Sequence, residues 1–204
     1  MTRWYQEKKH EHFYKEAKKR GYRARSAFKL KQIHKRYHIF SPGDLVIDLG
    51  AAPGGWSQVA SEIIGEKGTI IAIDLLKIKP LPNIITIQSD LTQPETIKKI
   101  QSHMPYPKAN VILSDMSPDI SGNYSVDQAR SAWLSTQAFK IAIKFLQKDG
   151  TFVCKIFEGE DTQEVISNIK HSFYIVKKFS PRASRKSSSE IYIIAKTLKK
   201  VNNL

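Results

Sequence analysis

Asp48-Leu49-Gly50-Ala51-Ala52-Pro53-Gly54-Gly55-Trp56 is the stretch that decides the fold. An apolar run, Leu45-Val46-Ile47, leads into it, and an amphipathic run, Ser57 to Ile64, leaves it. The pattern reads as strand, tight turn, helix, which is the first turn of a Rossmann-like nucleotide site. Glycine admits positive φ and lets the backbone approach a ligand closely. The dinucleotide spacing G-x-G-x-x-G is not met, since Gly50, Gly54 and Gly55 are the only glycines of the stretch. An acid inside the motif suits a cofactor with a cationic or amino-bearing group better than a pyrophosphate. Taken alone, the stretch also fits a tight βα turn with no ligand.

Upstream, the chain is strongly basic. The 204 residues carry a formal net charge of +14, and residues 1–38 hold 13 Lys and Arg against 3 Glu. That asymmetry points to a polyanionic partner, nucleic acid before an anionic membrane. Residues 5–20 read as an exposed helix ended by Gly21, and Ser26 to Tyr37 as a second helix. Between them, Gly21-Tyr22-Arg23-Ala24-Arg25-Ser26-Ala27-Phe28-Lys29-Leu30 alternates basic residues with Tyr22 and Phe28. Phosphate-pairing charge beside stackable rings suits RNA; a solvated basic helix is the alternative. We divide the chain into a basic helical RNA-binding extension (1–38), a catalytic domain (39–197) and a basic tail (198–204).

Downstream, apolar runs repeatedly end in an acid. Thr69 to Asp74 is a second strand, Asn83 to Gln88 a third with Asp90 just beyond, and Asn110 to Ser114 a fourth with Asp115. A helix is expected around Glu95–Ser102 and a long one from Ser125 to Gln147, with Val126, Ala129, Trp133, Phe139, Ile141 and Phe145 as its core face. Asp149-Gly150 turns into a fifth strand, Thr151 to Phe157. After a helix at Asp161–Lys170 come two further strands, Phe173–Lys177 and Glu190–Ala195. This alternation predicts an α/β sheet of seven strands, mostly parallel with one antiparallel strand at the edge, and helices on both faces. Ligands in such sheets bind beyond the carboxyl ends of the strands, so Asp48, Asp74, Asp90 and Asp115 should gather on one edge.

Asp74 stands where an acid accepts hydrogen bonds from ribose hydroxyls, and Asp90 where one meets an adenine amino group. With no G-x-x-x-x-G-K-[ST] phosphate loop, the pocket favours S-adenosylmethionine over ATP or NAD. Lys155 interrupts the apolar run Phe152 to Phe157, where an unpaired charge is costly to bury. It is either a lysine reaching out at a strand end or a base. A base role requires burial, Lys29 or a cationic ligand to lower its affinity for the proton, with Asp115 orienting the amine. The one cysteine, Cys154, reads as a small core residue, so neither a disulfide nor a metal site is expected. No run approaches a membrane span and no signal-peptide pattern opens the chain, which leads us to expect a cytoplasmic protein.

Taken together, Gly21 to Leu30, Asp48 to Trp56, Asp74-Leu75-Leu76, Ser114-Asp115-Met116-Ser117-Pro118, Val153-Cys154-Lys155-Ile156-Phe157 and Ser189-Glu190-Ile191-Tyr192 carry a resemblance. In this order, the chain resembles the FtsJ/RrmJ family of RNA 2′-O-ribose methyltransferases, most of all its prokaryotic 23S rRNA uridine members. The resemblance implies a class I S-adenosylmethionine-dependent methyltransferase fold. It also implies a catalytic tetrad of Lys29, Asp115, Lys155 and Glu190, with Lys155 accepting the 2′-hydroxyl proton and Asp115 also touching the cofactor. Gly54, Trp56, Asp74, Asp90 and Asp115 are implied as cofactor contacts, with no metal. The partner implied is large-subunit rRNA or the ribosomal subunit, with tRNA as the alternative, and the protein is expected to act as a monomer. Two other readings stand beside it. A catalytically silent RNA-binding protein is opposed by the intact tetrad, and a dehydrogenase by the missing dinucleotide fingerprint.

Overall fold

The structure is a computed structural model that describes residues 13–184 and 188–199. The expectations for residues 5–12 and for the tail beyond Lys199 lie outside the described residues, as do residues 185–187. In chain order the elements are α1 (residues 13–19), α2 (Ala27–Tyr37), β1 (Leu45–Leu49), α3 (Gly55–Ile64), β2 (Thr69–Asp74), β3 (Ile84–Gln88), α4 (Pro94–His103), β4 (Ala109–Ser114), α5 (Tyr124–Phe145), β5 (Leu146–Phe157), α6 (Thr162–Ser172), β6 (Phe173–Phe179) and β7 (Glu190–Leu198). The seven strands form one sheet in the order β3-β2-β1-β4-β5-β7-β6. From β1 the chain crosses to one side and from β4 to the other. The reversal leaves a crevice beyond the carboxyl ends of β1 and β4, where such sheets bind ligands.

All pairings from β3 to β5 are parallel. β7 is antiparallel to both β5 and β6, so the antiparallel strand sits one place in from the edge and β6 takes the edge. β7 returns antiparallel to β6 and fills the gap beside β5.

Parallel strands covered on both faces read as continuous apolar runs, and alternation then assigns each residue a side. Leu45, Ile47 and Leu49 of β1 join a core with α4, α5 and α6. Val46 joins a second core with Leu30 and Ile33 of α2 and Trp56, Val59 and Ala60 of α3. The same parity sends Phe152, Cys154 and Ile156 of β5 to the first core and Val153 to the second. Each fully buried Leu, Ile or Phe is worth roughly 1.5–3 kcal/mol. A one-residue slip would turn every such side chain to the wrong face, which pins the register.

The N-terminal segment contributes to this core. Ala17, Tyr22, Ala27, Phe28, Leu30, Ile33, Ile39 and Phe40 all lie in the α2/α3-side cluster. Tyr22 and Phe28 are each only 8 % exposed, so these rings are packing residues and not a stacking surface, contrary to the sequence reading. Ala17 is likewise buried, so the helix expected to be exposed has a packed face.

Two further expectations are corrected in the α5–β5 unit. The helix ends at Phe145 and the strand begins at Leu146. Asp149-Gly150 lies inside the strand, where the pairing with β4 shifts register between Ala109 and Val111. The buried face of α5 is Asp127, Gln128, Ser131, Ala132, Ser135, Ala138, Ile141, Ala142 and Phe145. Trp133 is 51 % exposed, and Val126 and Ala129 also face solvent. Its first half packs through hydroxyls. β4 stops at Ser114 opposite Cys154, so beyond that point β5 has lost its parallel neighbour. Ser131 Oγ accepts from the Phe157 N–H at 2.9 Å and Ser135 Oγ donates to the Lys155 carbonyl at 2.8 Å. Polar residues are buried there because strand backbone groups need partners.

Candidate active site

Parity builds the site. Val111 and Leu113 of β4 face the α2/α3 side, and the same phase carries on to Asp115. On β5 and β7, Val153, Tyr192 and Ile194 face that side, as do Lys155 and Glu190 by alternation. Lys155 is the register partner of Tyr192, and Phe157 that of Glu190. Lys29 arrives on the first turn of α2, which packs on the same face. Four residues spread from position 29 to 190 thus converge on one patch.

They form two ion pairs. Lys155 Nζ stands 3.2 Å from Asp115 Oδ1 and donates to the Asp115 carbonyl at 2.7 Å. Lys29 Nζ pairs with Glu190 Oε1. Both lysine side chains are 7 % exposed, and the carboxylates 16 % and 11 %. At this burial an unpaired charge would be costly, so each pair holds its members in place. Tyr192 joins the pairs: its hydroxyl donates to Asp115 Oδ1 at 2.8 Å, Lys29 Nζ lies 5.8 Å from its ring centroid, and the Trp56 ring lies 5.6 Å away between centroids. Burial, then the charges of Asp115 and Glu190, hold the Tyr192 phenol well above its ordinary range. Sequence reading assigned Tyr192 no role. Its place two residues after Glu190, on the same strand face, was the available signal.

Beside the pairs lies a cleft lined by Ser26, Gly50, Ala51, Ala52, Pro53, Gly55, Trp56 and Asp115. The N-terminus of α3 borders it. Gly50 has φ +70°, and a Cβ there would collide with Met116 Cγ. Gly54 has φ +110°, and a Cβ would stand 2.8 Å from Leu81 Cδ1 and 3.3 Å from Arg23 Nη1. Both glycines are therefore set by their positive φ and by protein neighbours. Trp56 is buried, its Nε1–H donating to the Ser26 carbonyl at 2.9 Å.

The four acids differ in their surroundings. Asp74 accepts from the Ala52 N–H at 2.9 Å and the Leu76 N–H at 2.8 Å, which ties β2 to the glycine turn. Asp48 is fully buried on the α3 side. Its Oδ2 accepts from Ser57 Oγ at 2.6 Å and its Oδ1 has no hydrogen-bond partner. Burial raises the Asp48 carboxyl to about 7 against the opposing Ser57 hydrogen bond, with the charges of Asp115 and Asp74 adding to the rise. Asp48 thus lies close to Asp74 and Asp115 at one sheet edge. Asp90 lies farther out, past β3, in a local turn with Thr92 that holds its carboxyl below the ordinary range.

Arg23 also departs from the sequence reading. Its guanidinium donates to the carbonyls of Pro53, Lys79 and Pro80 at 3.2, 2.6 and 2.8 Å. It staples the glycine turn to the segment after β2, and those donors are spent inside the protein. Among the described residues no group of three or more His, Cys, Asp or Glu is placed to hold a metal ion, and no helix is long and apolar enough to cross a membrane.

A seven-stranded Rossmann-like sheet, with a glycine-turn cleft and strand-end acids at its reversal point, is the fold of a methyltransferase. Comparison with known proteins narrows the class. The model of the FtsJ-like methyltransferase family matches residues 22–198. "Ribosomal RNA large subunit methyltransferase E" of Methanothrix thermoacetophila is 46 % identical over 188 residues, 92 % of this chain and 72 % of that protein. The protein of that name from Methanocaldococcus jannaschii is 44 % identical over 198 residues, 95 % of this chain and 81 % of its own. Among solved structures, a Plasmodium falciparum protein named as a ribosomal RNA methyltransferase superposes with TM-score 0.78 at 26 % identity, covering 87 % of this chain and 98 % of that one. The chain belongs to the FtsJ-like methyltransferase family.

Proposed function

We propose that the protein transfers a methyl group from S-adenosylmethionine to a ribose 2′-oxygen of large-subunit ribosomal RNA, at a uridine. The observation that carries this reading is the pair of buried Lys–carboxylate contacts, Lys155–Asp115 and Lys29–Glu190, beside the glycine-turn cleft. The names of the archaeal relatives support the choice of RNA.

The cleft fits the cofactor. Carboxylates at its edge accept from amino and hydroxyl groups, the buried Asp48 Oδ1 is left without a hydrogen-bond partner behind it, and the α3 N-terminus favours a carboxylate. Gly54, Trp56, Asp74, Asp90 and Asp115 are the residues we assign to holding it. When bound, S-adenosylmethionine supplies a methyl group on a cationic sulfur, open to displacement by an oxygen. The chain's own residues do the rest. The task assigned to Lys155 is to accept the 2′-hydroxyl proton on its amine, so that an oxygen lone pair becomes available. Asp115, itself held by Tyr192, fixes the direction of that amine. Lys29 and Glu190 hold the ribose in reach of it. Attack demands reacting atoms about 3–3.5 Å apart, which explains why a buried, mutually braced set of side chains is used.

The test is transfer of labelled methyl groups to unmethylated large-subunit rRNA by wild type and Lys155→Met. A positioned base is worth about 10²- to 10⁴-fold, so kcat should fall by that factor while calorimetric affinity for S-adenosylmethionine stays within about threefold. Activity near wild type would remove Lys155 from the base role.

A further inference from the structure

We propose that Tyr124 is a substrate-binding residue, a platform on which a nucleobase next to the acceptor ribose stacks. The proposal rests on the RNA-methylation reading above. Tyr124 opens α5, directly after the loop that follows Asp115, and it is 63 % exposed. Its surroundings are fixed on both sides. The Asp127 carboxylate accepts from the Ser121 N–H at 2.9 Å, Ser121 Oγ at 2.7 Å and the Gly122 N–H at 3.3 Å, which clamps the loop just before it. The Asn123 side chain caps the helix through the Val126 N–H at 3.4 Å. At the far end, the Tyr124 hydroxyl reaches the Glu158 carbonyl at 3.4 Å, and Gln128 Nε2 donates to the same carbonyl.

Glu158 places this ring relative to the chemistry. It follows β5 three residues after Lys155, about 10 Å along an extended strand. Its N–H donates to the Ser189 carbonyl at 2.9 Å, next to Glu190. The Tyr124 hydroxyl therefore stands at the carboxyl end of β5, the sheet edge at which both ion pairs lie, on the α5 side of that edge. Ile120, in the clamped loop, is 66 % exposed and adds apolar surface there. Anchored at its backbone and tip but bare across its faces, the ring loses little freedom when a flat partner covers it. In a chain of net charge +14, which draws polyanions, the flat partner that arrives at a ribose-binding edge is a nucleobase.

Steady-state methylation of unmethylated large-subunit rRNA by the full-length protein tests this. Stacking on an aromatic ring is sequence-tolerant, and its loss on alanine substitution corresponds to about tenfold in affinity. Tyr124→Ala should raise KM for the RNA about tenfold, and Tyr124→Phe, which keeps the ring, should stay within about twofold. Trp133→Ala, which removes another exposed ring of α5, should leave KM unchanged. Affinity for S-adenosylmethionine should be the same in all four proteins. An unchanged KM in Tyr124→Ala would overturn the proposal, as would an equal loss in Tyr124→Phe or a parallel loss of cofactor affinity. If wild type itself methylates no large-subunit rRNA, the functional reading fails and the subsite with it, a result seen before any variant is compared.

Discussion

Replacing Asp48 by Asn should make the protein's stability less sensitive to alkaline pH. Asp48 is fully buried, one oxygen is bonded to Ser57 and the other has no partner, and its carboxyl is raised from 3.8 to about 7. The folded state therefore keeps the proton through a range in which the unfolded chain has released it. The unfolded chain binds fewer protons there, so stability falls as pH rises from about 4 to about 7. At alkaline pH the full effect of a shift of this size is about 4 kcal/mol, of which about 3 kcal/mol develops between pH 5 and pH 8. Asp48→Asn preserves the shape and can still accept from Ser57, but does not titrate. Urea unfolding of both proteins at pH 5 and pH 8, at one salt concentration, gives the four stabilities required. Wild type should lose about 3 kcal/mol more than the variant between the two pH values. If the difference between the two proteins is the same at both, within about 0.5 kcal/mol, Asp48 does not change its charge in this range and the reasoning fails.

Two other substitutions probe the packing. Lys29→Met leaves the Glu190 carboxylate unpaired in a site where it is 11 % exposed; a loss of about 3–5 kcal/mol is expected by urea unfolding, and adding Glu190→Gln should return most of it. Trp133→Ala should shift stability by no more than about 0.5 kcal/mol, whereas Trp56→Ala, which empties a buried site against Tyr192, should cost about 3–5 kcal/mol; comparable losses in thermal melts would contradict the face assigned to α5.

The sheet was legible because strands buried on both sides must be apolar along their length, and Leu45-Val46-Ile47, Thr69 to Ile73 and Val111-Ile112-Leu113 have no other use. The acids at their ends marked the ligand edge for the same reason: only there can a charge stand next to a core strand. The face of α5 was not legible, because Ser131 and Ser135 are buried by hydrogen bonds to β5 and not by apolarity, while Trp133 is left outside. The alternation of charge and ring around Arg23 was equally ambiguous. A guanidinium that reaches three carbonyls in the fold and one free to meet phosphate have the same local sequence, and tertiary distance alone separates them. Tyr192 escaped notice because a tyrosine in an apolar strand reads as core until its partner across the strand pair, Lys155, is known.

The position of β7 between β5 and β6 also bears on synthesis of the chain. Until residues 190–198 have been made, β6 has no strand to pair with, and β5 exposes the edge that β7 will cover. Glu190 and Tyr192 ride on that strand, so Lys29, the first of the four to be made, waits for its partner 161 residues later. Pairing across such a separation is slow, and an open strand edge invites other chains. Of the seven strands, the one that closes the sheet is made last, and the patch that joins Lys29, Asp115, Lys155 and Glu190 exists only once that insertion is complete.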